Sequence, residues 1–370
     1  MQGKKLDYIF LGPAKPFRGG IAETQNYLAE EISLKGFNVE IWTFTKLYPK
    51  ILFPGKSQLD KNKIEKSKLK SKRLIHAYNF FKWKSVAKKI NFIQPKIVVF
   101  RYWTPLICPC WYYIKSKLDK SIKTVGLIDN WEHHEPQIWD KKLNTYFGNS
   151  MDMIVTFSKA VGMQINRTIK SRILMGFHPI PSGKKFKPSE PKQYNKNESD
   201  FVLFFGLIRK YKGLDLAIRA MSNKLIVEKN IKLIIAGEFY DSEERYQDLI
   251  RDLSLNNIII YNQFIANKQV PDFFSVSNLV ILPYTSATQS GVTQLAMYYN
   301  KPMLVTNVGG LPEIIDHKKD GYISSIIPEE MSEYILDYFS QDNKEKEMSS
   351  AISKKHDSYS WDNFVKKIIK

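Results

Sequence analysis

Cysteine is almost absent from this chain of 370 residues: there are two, Cys108 and Cys110, with Pro109 between them. That number excludes a disulfide framework, and two ligands from one short segment do not close a zinc site. Both are expected to be reduced, structural thiols. Long apolar runs are missing as well. Those present, such as Ile97–Phe100 and Leu279–Leu282, are strand-sized, far below the roughly 18 residues a membrane-spanning helix needs. The apolar stretch after Met-Gln-Gly-Lys-Lys-Leu-Asp is too short for the core of a secretory signal, so a cytoplasmic location is expected. Acids are scarce relative to bases: 37 Asp+Glu against 56 Lys+Arg leave a net charge of +19. A charge of that size bears on partners, and nucleic acid, an anionic membrane surface and phosphate-bearing substrates are the candidates. Asp-x-Asp occurs nowhere, and neither does the Gly-x-Gly-x-x-Gly dinucleotide fingerprint.

The residues that are present describe a folded protein, 43% hydrophobic and 25% charged, too long for one ordinary core. Tyr8–Leu11 reads as a buried strand, Gly12–Gly20 as a loop with two prolines and three glycines, and Ile21 onward as a helix. Asn38–Phe44 then alternates as a second strand. This order implies parallel strands joined by a right-handed crossover. Lys96–Phe100, Thr124–Ile128 and Met153–Phe157 continue the series. A second series predicts strands at Phe201–Phe205, Lys232–Ala236, Ile258–Tyr261, Leu279–Leu282 and Met303–Thr306. Helical stretches are predicted between them at Leu214–Met221, Ser242–Leu253, Val270–Ser275 and Val292–Tyr299. The expected fold is α/β: two Rossmann-like doubly wound domains facing across a cleft. Residues 1–180 form the first domain, 181–200 the linker, 201–350 the second domain, and 351–370 a closing helix. Ligands are expected at the carboxyl ends of the strands.

Four segments carry polar chemistry there. Gly19-Gly20 lets backbone approach a ligand at a helix N-terminus, where N–H groups and positive potential favour an anion. Gly206–Gly213 brings Arg209, Lys210 and Lys212 onto one loop before a helix, a geometry suited to a diphosphate. Thr285–Gly291 is small, polar and uncharged, able to turn amides and hydroxyls toward a ligand, although a helix cap alone would need only Ser290. Asp129–Glu135 is rich in titratable groups, but adjacent histidines and unspaced acids suit hydrogen bonding and acid/base work better than a metal.

Together with Val308-Gly309-Gly310-Leu311-Pro312-Glu313, Asp320-Gly321-Tyr322 and Trp361, these loops resemble glycosyltransferase family 4 over almost the whole chain. The resemblance implies the GT-B fold and transfer of a sugar from a nucleotide-sugar donor to a glycan or lipid-linked acceptor, with retention at the anomeric carbon. Cytoplasmic synthesis of bacterial surface polysaccharide or glycolipid would be its setting. It implies catalytic roles for His134, Glu135, Arg209 and Lys212. Donor binding would fall to Gly19, Gly20, Gly213, Gln289, Ser290, Gly291, Val292 and Gln294. No metal and no cofactor are implied, the nucleotide-sugar being a substrate. Two departures stand out. The family's arginine after the first loop glycine is replaced by Leu207, with Arg209 placed to substitute. The family's two glutamates fall at Ala287 and Leu295, and Gln289 and Gln294 are the nearby amides. Those losses keep open an alternative, a catalytically silent nucleotide- or glycan-binding protein. Nucleic acid is not expected, because no readout module is present and the glycine loops would be unexplained.

Residues 56–96 hold 13 Lys/Arg against 2 acids, interleaved with aromatics. Leu74, Tyr78 and Phe81 recur at helical spacing, with Phe80 and Trp83 widening the face. The expectation is one helix lying on an anionic membrane surface, the alternative being that its aromatics pack inward.

Overall fold

The computed structural model describes residues 5–17, 19–47, 59, 69, 71–131, 137–181, 188 and 199–368. Two compact units divide the chain: Met1–Phe177 with Trp361–Lys370, and His178–Ser360.

The first unit is a parallel sheet of β1 (Tyr8–Leu11), β2 (Val39–Lys46), β3 (Ser71–His76), β4 (Ile97–Tyr102), β5 (Lys123–Ile128), β6 (Met153–Thr156) and β7 (Arg172–Met175). Their spatial order is β3-β2-β1-β4-β5-β6-β7, so strand order reverses between β1 and β4. The central strands are apolar throughout because both faces are covered. Alternate side chains of β1 feed two cores. Ile9 and Leu11 meet Val86 and Ile90 of the helix Phe80–Ile93, Trp111 of the helix Cys108–Ser116 and Phe147 of the helix Asp140–Ser150. Tyr8 and Phe10 meet Leu28 and Ile32 of the helix Gly20–Leu34, and Trp361, Phe364 and Val365 of the helix Trp361–Ile368. Phe364 stacks on Phe157 at 5.1 Å and meets Phe177 edge-on at 5.6 Å. Both cysteines are buried and free, and burial pushes the Cys108 thiol up to about 11.

At the reversal point a buried ion pair ties three elements together. Arg101 of β4 donates to both carboxylate oxygens of Asp129, just past β5, at 2.5 Å each. Its third contact is to Thr24 Oγ1 on the helix Gly20–Leu34, at 2.8 Å, and its guanidinium lies over Phe157.

The second unit repeats the plan with β8 (Asp200–Phe205), β9 (Ile231–Ala236), β10 (Ile258–Tyr261), β11 (Leu279–Leu282), β12 (Met303–Thr306) and β13 (Gly321–Ser324). The order is β10-β9-β8-β11-β12-β13, all parallel, reversing between β8 and β11. Phe201, Leu203 and Phe205 enter one core, and Val202 and Phe204 the other.

The strands expected from sequence are present to within a residue or two, and β3, β7 and β13 are additions. β3 and β7 lie at the ends of the first sheet; β3 buries one side chain and β7 none, so neither reads as an apolar run. The single helix expected from Leu74 to Trp83 is corrected: Leu74 lies in β3, Tyr78 in a turn, and the helix starts at Phe80, capped by Asn79. Lys72 pairs with Glu40, and Arg73 donates to the carbonyls of Phe44 and Thr45, so both serve the sheet. Of the remaining basic residues up to Lys70, and of the 181–200 linker, most lie outside the described residues.

Phe364 fills a pocket between β6 and the chain at Gly176, where a Cβ on the glycine would stand 2.6 Å from the ring. Phe364→Ala should therefore lower stability by about 3–5 kcal/mol, read from urea unfolding of the whole chain.

Candidate functional site

In the second unit, the loops leaving β8, β9, β11 and β12 are joined backbone to backbone. After β8, Gly206 N–H donates to Ala236 O and Ile208 N–H to Glu238 O, and Tyr240 N–H returns to Ile208 O. Thr285 N–H, after β11, donates to Tyr211 O at 2.8 Å, and Gly310 N–H, after β12, donates to Thr288 O at 3.1 Å. Two glycines at positive φ let these backbones approach closely. Gly213 sits at φ +64, and a Cβ there would lie 2.0 Å from the Pro283 carbonyl oxygen. Gly309 sits at φ +52, and a Cβ would lie 1.6 Å from the Ala287 carbonyl oxygen. These loops surround the point where strand order reverses, the usual ligand position on such a sheet.

Arg209 and Lys212 stand on this scaffold. Arg209 lies over the Tyr240 ring at 5.3 Å and Lys212 over the Tyr284 ring at 5.5 Å. The Lys212 ammonium hangs above Gly206, 3.4 Å from where a Cβ would stand. Among the described residues no carboxylate lies within 4.0 Å of either cation. Burial, and to a lesser extent the like charge of Arg209, hold the Lys212 ammonium below the ordinary lysine range, with Tyr211 opposing. Two adjacent cations without a counter-charge, one of them desolvated, make a site for an anion. Gly213 ends the turn that carries them.

The residues of the loop after β11 divide between capping, core and exposed positions. Ser290 is buried, and its Oγ accepts from Val292 N–H at 3.2 Å and meets Tyr284 OH at 3.2 Å. Ser290 thus caps the helix Gly291–Tyr298, and Val292 packs in the core. Burial pushes the Tyr284 phenol up to about 12. Gly291 is exposed, and a Cβ there would meet open space. Gln294 is buried, donating from Nε2 to Thr293 Oγ1; its Oε1, like that of Gln289, has no partner among the described residues. Ala287 and Leu295 are both partly buried and pack against the apolar core. Sequence reasoning missed Tyr284, Tyr240 and the clamp made by Gly309. The Gly-Gly pair was visible as a signal, but the carbonyl it admits was not.

In the first unit, Gly19 caps the helix Gly20–Leu34 at φ 109 without a side-chain hydrogen bond, and nothing approaches the open side of Gly20. His134 and Glu135 lie outside the described residues. Asp129, which opens their segment, is consumed by Arg101. Among the described residues no group of three or more His, Cys, Asp or Glu stands close enough to hold a metal.

Comparison with known proteins follows the same division. Residues 186–355 match the family model of glycosyl transferases group 1. An uncharacterised glycosyltransferase of Methanocaldococcus jannaschii is 27% identical over 183 residues, 47% of this chain and 45% of that protein. The chain spans about half the length of the curated relatives it matches. A sucrose-phosphate synthase of Thermosynechococcus elongatus superposes at TM-score 0.76 with 14% identity, covering 98% of this chain and 97% of that one. Anabaena HepE, solved with UDP and glucose, superposes at 0.74 with 15% identity, covering 98% of each chain. The fold is GT-B, with two parallel-sheet α/β domains.

Gly213→Ala and Gly309→Ala should each cost about 1–3 kcal/mol from backbone strain alone, with the carbonyl overlaps adding to it. Gly291→Ala should change stability by less than about 0.5 kcal/mol. Urea unfolding of the three variants checks the contrast.

Proposed function

We propose that the chain is a retaining glycosyltransferase. Its second unit holds a nucleotide-sugar, and the sugar passes to a glycan or lipid-linked acceptor at the cytoplasmic face, in the synthesis of surface polysaccharide or glycolipid. The observation that carries this reading is the pair Arg209 and Lys212, uncompensated cations on a clamped loop where the second sheet's strand order reverses. The group 1 match over the same unit and HepE's bound UDP support it.

As the bond between sugar and diphosphate lengthens, negative charge gathers on the leaving oxygen. Arg209 and Lys212 stabilise it there, and preorganised cations need little rearrangement to do so. The acceptor hydroxyl approaches from the face the diphosphate leaves. Its oxygen bonds to the anomeric carbon while its proton passes to the departing diphosphate, so configuration is retained without a protein nucleophile. His134 and Glu135 would hydrogen-bond the transferred sugar. Gln289 and Gln294 are the nearby amides that would replace part of the bonding that acids at Ala287 and Leu295 would supply. Gly19, Gly20 and Gly291 give room for backbone to approach the donor. The two cations do the charge-neutralising work of a metal, so transfer needs none, and no cofactor besides the donor takes part.

A second reading, a nucleotide-binding protein without turnover, is favoured by one observation, the packing of Ala287 and Leu295 into apolar surroundings. A donor screen that measures released nucleoside diphosphate, run beside UDP titration, separates the two. Arg209→Ala and Lys212→Ala should each lower turnover about a hundredfold or more while folding normally. Wild-type rates in both variants would end the diphosphate assignment, and nucleotide binding without turnover of any donor would establish the second reading.

A further inference from the structure

Among the described residues, nine of the fifteen large apolar side chains that stand exposed lie between Tyr78 and Tyr146. They belong to one layer of the first unit. The helices Phe80–Ile93, Cys108–Ser116 and Asp140–Ser150 bury Val86, Trp111 and Phe147 in a single core, which puts all three on the same face of the sheet. Their outer surfaces carry two groups of ring contacts, neighbours through Tyr112 and Tyr113. Phe81 meets Phe80, Phe80 meets Tyr113 at 4.5 Å, and the neighbouring Tyr112 meets Tyr146 at 6.2 Å. Phe81 is 83% exposed, and Trp139 just before the third helix 53%. Aromatic groups this exposed are not core side chains at the edge of packing.

Charge on the helices of this layer is almost wholly positive, with Asp119 an exposed acid just past the end of the second helix, hydrogen-bonded to Asn91 and Gln94. Lys82, Lys84, Lys88, Lys89, Lys141 and Lys142 are all exposed. The only acid in the three helices is Asp140, which is buried. Ammonium groups reach over the rings themselves: Lys142 lies 5.9 Å above Tyr146, and Lys117 lies 6.0 Å above Tyr113. Rings flanked by lysines that far outnumber the acids match a lipid interface: aromatics enter the headgroup boundary while long cationic stems reach phosphates.

We propose that this three-helix face docks the protein on an anionic phospholipid bilayer. The inference is independent of the donor site. It keeps only the helix Phe80–Ile93 from the stretch 56–96 and adds two helices brought beside it by the fold, and the basic residues of β3 take no part.

The test is cosedimentation of the full chain with vesicles of phosphatidylcholine mixed with phosphatidylglycerol, and with phosphatidylcholine alone. Binding is expected to the mixed vesicles only, with release by raised salt. Lys82, Lys84, Lys88 and Lys89 replaced together by Gln should weaken it about a hundredfold or more. Phe81→Ser with Tyr112→Ser should weaken it about tenfold or more, whereas Leu225→Ser, at an exposed apolar residue of the second unit, should leave it unchanged. UDP affinity and circular dichroism should match wild type throughout. Equal binding to both vesicle types, binding to neither, or binding indifferent to both sets of substitutions would overturn the proposal. So would a solution dimer that Phe81→Ser dissociates, because a second copy would then cover the face.

Discussion

Where one strand's loop meets the next, the second unit allows no side chain between the two backbones. Gly213 presses on the Pro283 carbonyl and Gly309 on the Ala287 carbonyl. Both residues sit at positive φ, so a substitution would have to overcome steric overlap and backbone strain together. This constraint turns three separate strand ends into one rigid platform. Hydrogen bonds from Thr285 to Tyr211 and from Gly310 to Thr288 then fix its register. The cationic turn from Arg209 to Lys212 inherits its position from that clamp, as does the capped start of the helix Gly291–Tyr298.

Rigidity is what makes the electrostatics consequential. A lysine on a free loop would swing to water and regain full hydration. Lys212 is held above Gly206 and against the Tyr284 ring, beside Arg209 and away from any described carboxylate. The cost of its charged form is borne by the folded protein until an anion arrives. In the first unit the equivalent reversal point is closed differently. Arg101 already has Asp129 at 2.5 Å, and the pair is used up in joining β4, β5 and the helix Gly20–Leu34. The same sheet topology thus carries a satisfied cation in one unit and unsatisfied cations in the other.

Much of this was readable in the sequence, for physical reasons. Strands covered on both faces are unbroken apolar runs, and β1, β8 and β11 announced themselves that way. Loops at strand ends were marked by glycine and proline, so the segment from Gly206 to Gly213 was found without coordinates. The edge strand β3 was not, because a strand with one buried side chain looks like any polar stretch. The apparent helical spacing of Leu74, Tyr78 and Phe81 came from a strand, a turn and a helix in succession, which periodicity alone does not separate. Ser290 reads in sequence as a helix cap or a ligand contact, and the cap is the role its bond with Val292 shows. The pairing of Arg101 with Asp129 and the shared face of three helices depend on contacts distant in sequence.

The central claim is that an anion completes the charge left open at Lys212, and proton uptake on binding measures this directly. Burial, and less strongly the Arg209 charge, hold the pKa of Lys212 below the ordinary lysine value of 10.5, and a diphosphate bound beside the ammonium would raise it again. Between those two values the free lysine is partly neutral and the bound one charged. Binding must therefore take up protons, and affinity must fall as pH rises through that window. Calorimetric titration of UDP in buffers of different ionisation enthalpy should show this uptake in the wild type and its loss in Lys212→Met. Equal proton uptake by the two proteins would contradict the claim.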